Sequence, residues 1–294
     1  MTLPFKTAVI TDEISQDVST AVDLAREFGL DGLEIRSAWS KGPHELTNDD
    51  LSRIRDLAGE AGMTVFGVAP PFFKCEVDDA AAIASHLDIL RRSCAAARAL
   101  DTTQVRGFAF WRHGPLEDVK EDVVRHLKEA ARIVEAEGMV LALENEYSTC
   151  NNNVARTLDL IESVGSANLK LLYDPGNDVH DEEGERAWPD SYDLARGHFT
   201  HMHLKDPARD PETGAVSTFA IGEGDVCIEE LMAALVRDGY EGTISLETHY
   251  RREPLEHEIQ RLPVGDTFSA GGYVASRECL EKWFAILRRV TGTD

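Results

Sequence analysis

Short apolar runs alternate along this chain with longer stretches in which apolar residues recur every three or four positions. The short runs read as β-strands and the periodic stretches as amphipathic helices. A first strand is predicted at about 7–11. The helix after it places Val18, Ala21, Val22, Leu24, Ala25 and Phe28 on one face and stops at Gly29. Further strands are predicted at 32–36, 64–68, 103–110, 139–145, 169–174, 199–206 and 243–247. The intervening helices are predicted at 47–62, 77–100, 116–138, 154–164, 192–196 and 228–238, with a last one at 272–289. Eight strand–helix units in strict alternation indicate a parallel sheet, and eight close into a (β/α)₈ TIM barrel. An open doubly wound sheet is the competing arrangement, but no Gly-x-Gly-x-x-Gly follows the first strand. With no internal repeat, low-complexity tract or linker, residues 1–294 are expected to form one domain.

The seventh strand, Phe199-Thr-His-Met-His-Leu-Lys-Asp206, breaks the apolar rule on one face. Side chains alternate along a strand, so His201, His203 and Lys205 share one face while Met202 and Leu204 take the other. Three other strands end on a carboxylate: Glu144 on the fifth, Asp174 on the sixth and Glu247 on the eighth. Active sites of such barrels sit at the C-terminal ends of the strands. Ala142 and Glu144, Leu172 and Asp174, and Ser245 and Glu247 each share a face, so Glu144, Asp174, His203 and Glu247 are expected to converge. Three carboxylates in one cavity repel and are costly to desolvate, and a divalent cation removes that conflict. Carboxylate oxygens plus one imidazole suit Mn²⁺ or Mg²⁺ first, with Co²⁺ or Zn²⁺ possible.

Around that centre, Lys205 can place an ammonium near a substrate oxygen, or snorkel to the rim. Arg106 on the fourth strand is a candidate to orient the substrate, or to pair with Glu34, Glu144 or Glu146. Glu146, one strand-step beyond Glu144, is expected to touch substrate or to support a ligand. His201 lies deeper, as a substrate contact or a hydrogen-bonded core group. Phe72, Phe73, Trp111 and Trp188 fall in rim loops, as an aromatic wall for a ligand or as packing. Arg251 and Arg252 can meet an anionic substituent or simply be solvated.

The bulk properties narrow the partners. A formal charge of −23 opposes a nucleic-acid footprint, which needs a basic surface. No run approaches the ~18 apolar residues of a membrane span. The five cysteines are scattered, with no Cys-x-x-Cys spacing, so neither a disulfide framework nor a thiolate zinc site is expected. The N-terminal residues look like a first strand and not a signal peptide, so a cytoplasmic protein is expected. Two strand-to-helix connections, 206–225 and 249–268, are long, and long rim loops cover or shape a site. The second could cap a neighbour's site in a homo-oligomer.

The chain also resembles the sugar isomerase/epimerase superfamily with the xylose isomerase-like barrel, which endonuclease IV shares. The resemblance spans nearly the whole chain and rests on several segments taken together in this order. In the first half these are Ile10-Thr-Asp-Glu13, Gly32-Leu-Glu-Ile-Arg36 and Val105-Arg-Gly-Phe108 with Trp111. In the second half they are Leu143-Glu-Asn-Glu146, Tyr173-Asp-Pro-Gly-Asn177, His201-Met-His-Leu-Lys-Asp206, Ile221-Gly-Glu-Gly-Asp225 and the run from Gly239 to His249. It implies that Glu144, Asp174, His203 and Glu247 hold the metal. Several epimerases of the superfamily carry histidine three residues after the sixth-strand aspartate. Here that residue is Asn177, which can hydrogen-bond a substrate hydroxyl or a water, and His180 lies nearby in the loop.

The expected activity is isomerisation or epimerisation of a small sugar or related polyhydroxy carbonyl compound through a metal-stabilised enediolate. Glu144 and Glu247 would take and return the proton. A dehydratase acting on a cyclic polyol or hydroxy-ketone is the alternative on the same site. An endonuclease IV-like nuclease needs a histidine-rich site that this chain does not supply, and the charge of −23 opposes it; a metal-free binding barrel would not need all four strand ends.

Overall fold

The computed structural model describes residues 3–181, 184–253, 259 and 265–293. Eight of its strands are parallel: β1 (Lys6–Ile10), β2 (Gly32–Ile35), β3 (Thr64–Val68), β4 (Gln104–Gly107), β5 (Val140–Glu144), β6 (Leu169–Tyr173), β7 (Phe199–Leu204) and β10 (Thr243–Leu246). They close in the order β1-β10-β7-β6-β5-β4-β3-β2, so the last strand seals against the first through Lys6–Thr243 and Ala8–Ser245. Closure leaves the barrel sheet without an edge.

Helices surround the barrel because the outward side chains of each strand are apolar. Met202 and Leu204 of β7 and Ile244 and Leu246 of β10 are fully buried, as are Leu231, Met232 and Leu235 of the helix Ile228–Arg237. The inward face of the same strands carries His201, His203 and Ser245, also buried. The register puts Thr243 beside His201 and Ser245 beside His203, which brings the polar rows of β7 and β10 level.

Three differences from the expected elements bear on the site. The fourth strand ends at Gly107 and not at Phe110, because the Phe108 and Phe110 amides donate to the carbonyls of Phe72 and Phe73 in the loop after β3. Phe72, Phe73 and Phe110 are then fully buried in one stack, at 4.0 and 4.2 Å between ring centroids, so the two phenylalanines pack the rim and do not face the cavity. The 206–225 connection contains an antiparallel hairpin, β8 (Asp206–Arg209) with β9 (Val216–Phe219). Asp206 closes that loop by accepting the amides of Gly222, Gly224 and Val226 at 2.7, 3.0 and 3.2 Å. Much of the 249–268 connection, with any capping role for it, lies outside the described residues. Among the described residues, no helix is long and apolar enough to cross a membrane.

Candidate active site

The C-terminal mouth of the barrel opens into a cavity of about 310 Å³. Its walls include Arg36, Lys74, Arg106, Glu146, Asn177, His180, Lys205, Glu247 and His249. Glu247 is part of that wall, and single donor atoms of Glu144, Asp174, His203 and Glu247 all lie within 4.8 Å of one another, with the four residues 0–2% exposed. Glu144 ends β5, Asp174 directly follows β6, His203 lies within β7 and Glu247 directly follows β10. The alternation of each strand therefore turns all four inward at a similar height.

Each glutamate is tethered by one oxygen. Arg106 Nη1 donates to Glu144 Oε2 at 3.1 Å, and Arg36 Nη1 donates to Glu247 Oε1 at 2.8 Å. The other oxygens point to the centre: Glu144 Oε1 lies 3.3 Å and Glu247 Oε2 3.8 Å from His203 Nδ1. Lys205 Nζ donates to Glu247 Oε2 at 2.8 Å and also to Asp174. Asp174 Oδ1 caps the next turn through the Gly176 amide at 2.9 Å. A side chain at Gly176 would strike Lys205, because its Cβ would come within 2.5 Å of the lysine Cγ. Glycine there is what lets the lysine pass.

The electrostatics record the crowding foreseen from the sequence. Burial, with Glu247 and Glu144 alongside, pushes the Asp174 carboxyl well above the usual range even though Lys205 opposes the shift. Burial works against ionisation of the glutamates too. His203 and Arg106 nevertheless bring Glu144 to about 2, and Lys205 leads the neighbours that hold Glu247 well below its ordinary value. Burial alone would lower His203, yet Glu34 and Glu144 hold it well above its ordinary value. Three carboxylates and one imidazole nitrogen, buried and convergent, with one carboxyl pressed towards protonation, are a donor set that a hard or borderline divalent cation fits.

Of the other residues singled out in the sequence, Glu146 and Asn177 line the cavity. Glu146 accepts from Lys74 at 3.0 Å, and Asn177 donates to Asp174 Oδ2 at 3.0 Å. Arg106 lines it as well, and among the described residues its buried Nε has no hydrogen-bond partner. His201 is not among the residues that line the cavity; its Nε2 is engaged by Glu34 (2.8 Å) and Ser245 (3.0 Å). Trp111 also stands outside the lining, with Lys74 Nζ 5.8 Å from its ring. Trp188 packs on Tyr192, 5.6 Å away. Arg251 is buried, bound to Glu13 and to the Phe268 and Ala270 carbonyls, while Arg252 pairs with Glu278, so neither waits for an anion.

The sequence reading gave no role at the site to four groups that the structure places there or against it. Glu34 and Arg36 sit on and just after β2 with the period-two polar pattern that drew attention to β7. Arg36 is held by Asp12 (3.1 Å) and Glu13 (2.7 Å) while it reaches Glu247. His249 lies 3.4 Å from Glu247 and 3.3 Å from Glu13. Its backbone φ of +41° is one that few non-glycine residues adopt. Burial lowers its pKa to about 4. His180, placed in the loop by the sequence, lines the cavity stacked on Tyr147 at 4.0 Å.

Comparison with known proteins agrees with this architecture. The family described as "Xylose isomerase-like TIM barrel" matches residues 22–264. Fructoselysine 3-epimerase of Escherichia coli O157:H7 is 26% identical over 254 residues, covering 81% of this chain and 88% of that protein. The D-allulose 3-epimerase of Methylomonas sp., solved in complex with D-allulose, superposes with a TM-score of 0.72 at 18% identity, over 97% of this chain and 98% of its own. A xylose isomerase-like TIM barrel protein from Mycobacterium smegmatis, solved in complex with magnesium, gives 0.68 at 16% identity over 99% and 98%. The chain belongs to the xylose isomerase-like TIM barrel family.

Proposed function

We propose that this member of the xylose isomerase-like barrel family is a divalent-metal-dependent epimerase or isomerase of a small sugar or a related polyhydroxy carbonyl compound. The observation that carries the reading is the pair of glutamates, each anchored by an arginine through one oxygen while the other faces the shared centre. The similarity to fructoselysine 3-epimerase over most of both chains supports the same reaction class.

Glu144, Asp174, His203 and Glu247 would hold the cation. It would supply positive charge where a sugar carbonyl and its neighbouring hydroxyl gather negative charge during proton loss. Glu144 and Glu247 come from non-adjacent strands, β5 and β10, and so approach the centre from different sides. One removes the proton from the hydroxyl-bearing carbon next to the carbonyl and the other returns it to the opposite face, which inverts that carbon. Arg106 and Arg36 fix the orientation of those carboxylates throughout. The Arg106 Nε–H, without a partner among the described residues, is a donor for a substrate oxygen, and Lys205 and Asn177 offer further donors in the same cavity.

The test is incubation with Mn²⁺ and a panel of ketoses, aldoses and inositol ketones in D₂O, followed by NMR and mass analysis. A matching substrate yields its epimer or isomer with deuterium on the inverted or newly formed carbon centre. A product lighter by one water would replace this reading with the dehydratase. Absence of product and of exchange across the panel would overturn it.

A further inference from the structure

Glu34 lies beneath the four-donor centre, on the far side of the barrel from the histidines it touches. Its strand, β2, has β1 and β3 as neighbours, whereas β7 lies between β10 and β6. The side chain therefore crosses the barrel interior, and Glu34 is 1% exposed. His203 Nε2 lies 3.1 Å from Glu34 Oε1 and 3.2 Å from Oε2, and His201 Nε2 lies 2.8 Å from Oε2. Both oxygens of one carboxylate are thus turned to Nε2 atoms from the same strand.

An ionised carboxylate only accepts hydrogen bonds, so each of these contacts calls for a proton on Nε2. An imidazole with its single proton on Nε2 carries its lone pair on Nδ1. In His203, Nδ1 is the atom aimed at Glu144 Oε1 and Glu247 Oε2, which would share the cation with it. Without the cation these contacts call for a proton on Nδ1 as well, and binding the cation would displace that proton and leave the one on Nε2. We infer that Glu34 is the positioning residue that fixes His203 as the Nε2–H tautomer, aims its Nδ1 at the cation, and holds His201 as a brace at the same carboxylate. The inference rests on the metal-dependent reading above. A competing arrangement places a second cation among Glu34, His201 and His203, whose donor atoms are also within 4.8 Å of one another. That arrangement requires Nε2 lone pairs, so the two place the proton oppositely.

The experiment is calorimetric titration of metal-free protein with Mn²⁺ for the wild type, Glu34→Gln, Ser245→Ala and Asp174→Ala. A carboxylate behind a ligating histidine contributes about 10–100-fold in metal affinity. Glu34→Gln should therefore bind one Mn²⁺ about 10–100-fold more weakly. Ser245→Ala, which removes only a contact to His201, should stay within about twofold of the wild type. Wild-type affinity in Glu34→Gln, or two Mn²⁺ per wild-type chain, overturns the inference. A wild type that binds no Mn²⁺ defeats the metal-dependent reading itself, a distinguishable result. Should Glu34→Gln fail to fold, ¹⁵N-histidine NMR of the Mg²⁺-loaded wild type decides the matter, with His203 assigned by its loss in His203→Asn. A proton on Nε2 is expected, and one on Nδ1 overturns the inference.

Discussion

The two halves of the barrel divide the work at its mouth. Strands β5, β6, β7 and β10 deliver Glu144, Asp174, His203 and Glu247, whose donor atoms meet. The half built from β1, β2 and β4 delivers Asp12, Glu13, Glu34, Arg36 and Arg106, most of which touch those four or brace what does. In the proposed function, one half presents groups to a ligand and the other aims them. A site of this kind is held by charge pairs that cross the barrel, such as Arg36 to Glu247, and not by local sequence. Buried pairs of this sort do not guarantee stability, but removing one partner leaves an uncompensated charge.

The largest effect should come from the presenting half. Glu144→Gln or Glu247→Gln is expected to slow carbon–deuterium exchange by about 10²–10⁴-fold, the usual contribution of a positioned acid or base. Exchange at the wild-type rate in either variant would remove that residue from proton transfer.

In the aiming half, Arg36→Met should cost about 3–5 kcal/mol of stability in urea unfolding, because Asp12, Glu13 and Glu247 lose a shared buried partner. An unchanged midpoint would show that the two halves are less coupled than the geometry implies.

Arg106→Lys should keep the fold but lose the fork that spans Glu144 and the Ala69 carbonyl. A fall of about 10–100-fold in kcat/KM is expected, in line with losing a hydrogen bond to a charged group. Steady-state kinetics at saturating metal would measure it.

The smallest effect sharpens the comparison at the rim. Burial lowers His180 from 6.5 to about 3, so between those values the folded chain binds fewer protons than the unfolded one. The contribution of neutral His180 is intact above about pH 6.5 and declines as pH falls towards 3. Between pH 7 and pH 5 the wild type should lose about 1–2 kcal/mol more than His180→Gln in paired urea melts. Equal losses would mean that His180 titrates normally.

What the sequence made legible follows the same division. Period-two alternation shows which side chains of a strand face inward, so the four strand ends could be assembled from the residues alone. It does not show which inward groups meet across the barrel. Arg36 and Glu247 are 211 residues apart, and Glu34 and His203 are 169 apart. The polar pattern of β2 carried the same signal as that of β7, but a charged pair in a short strand resembles a solvated edge until the barrel is closed around it. Phe72 and Phe73 were ambiguous for a different reason: a rim aromatic looks alike in sequence whether it faces a cavity or stacks on Phe110. The hairpin β8–β9 was hidden because Gly, Pro and charge over 206–225 read as loop, and its ordering depends on Asp206 gathering three distant amides.

The most direct test of the account is metal content. Purified wild type and Asp174→Ala would be loaded with Mn²⁺, desalted and measured by elemental analysis beside their circular dichroism. About one ion per wild-type chain, lost in a folded Asp174→Ala, is the predicted result. A wild type that retains no ion after loading with Mn²⁺, Mg²⁺, Co²⁺ or Zn²⁺, or an Asp174→Ala that retains as much as the wild type, would contradict the claim that these four strand ends form a metal centre.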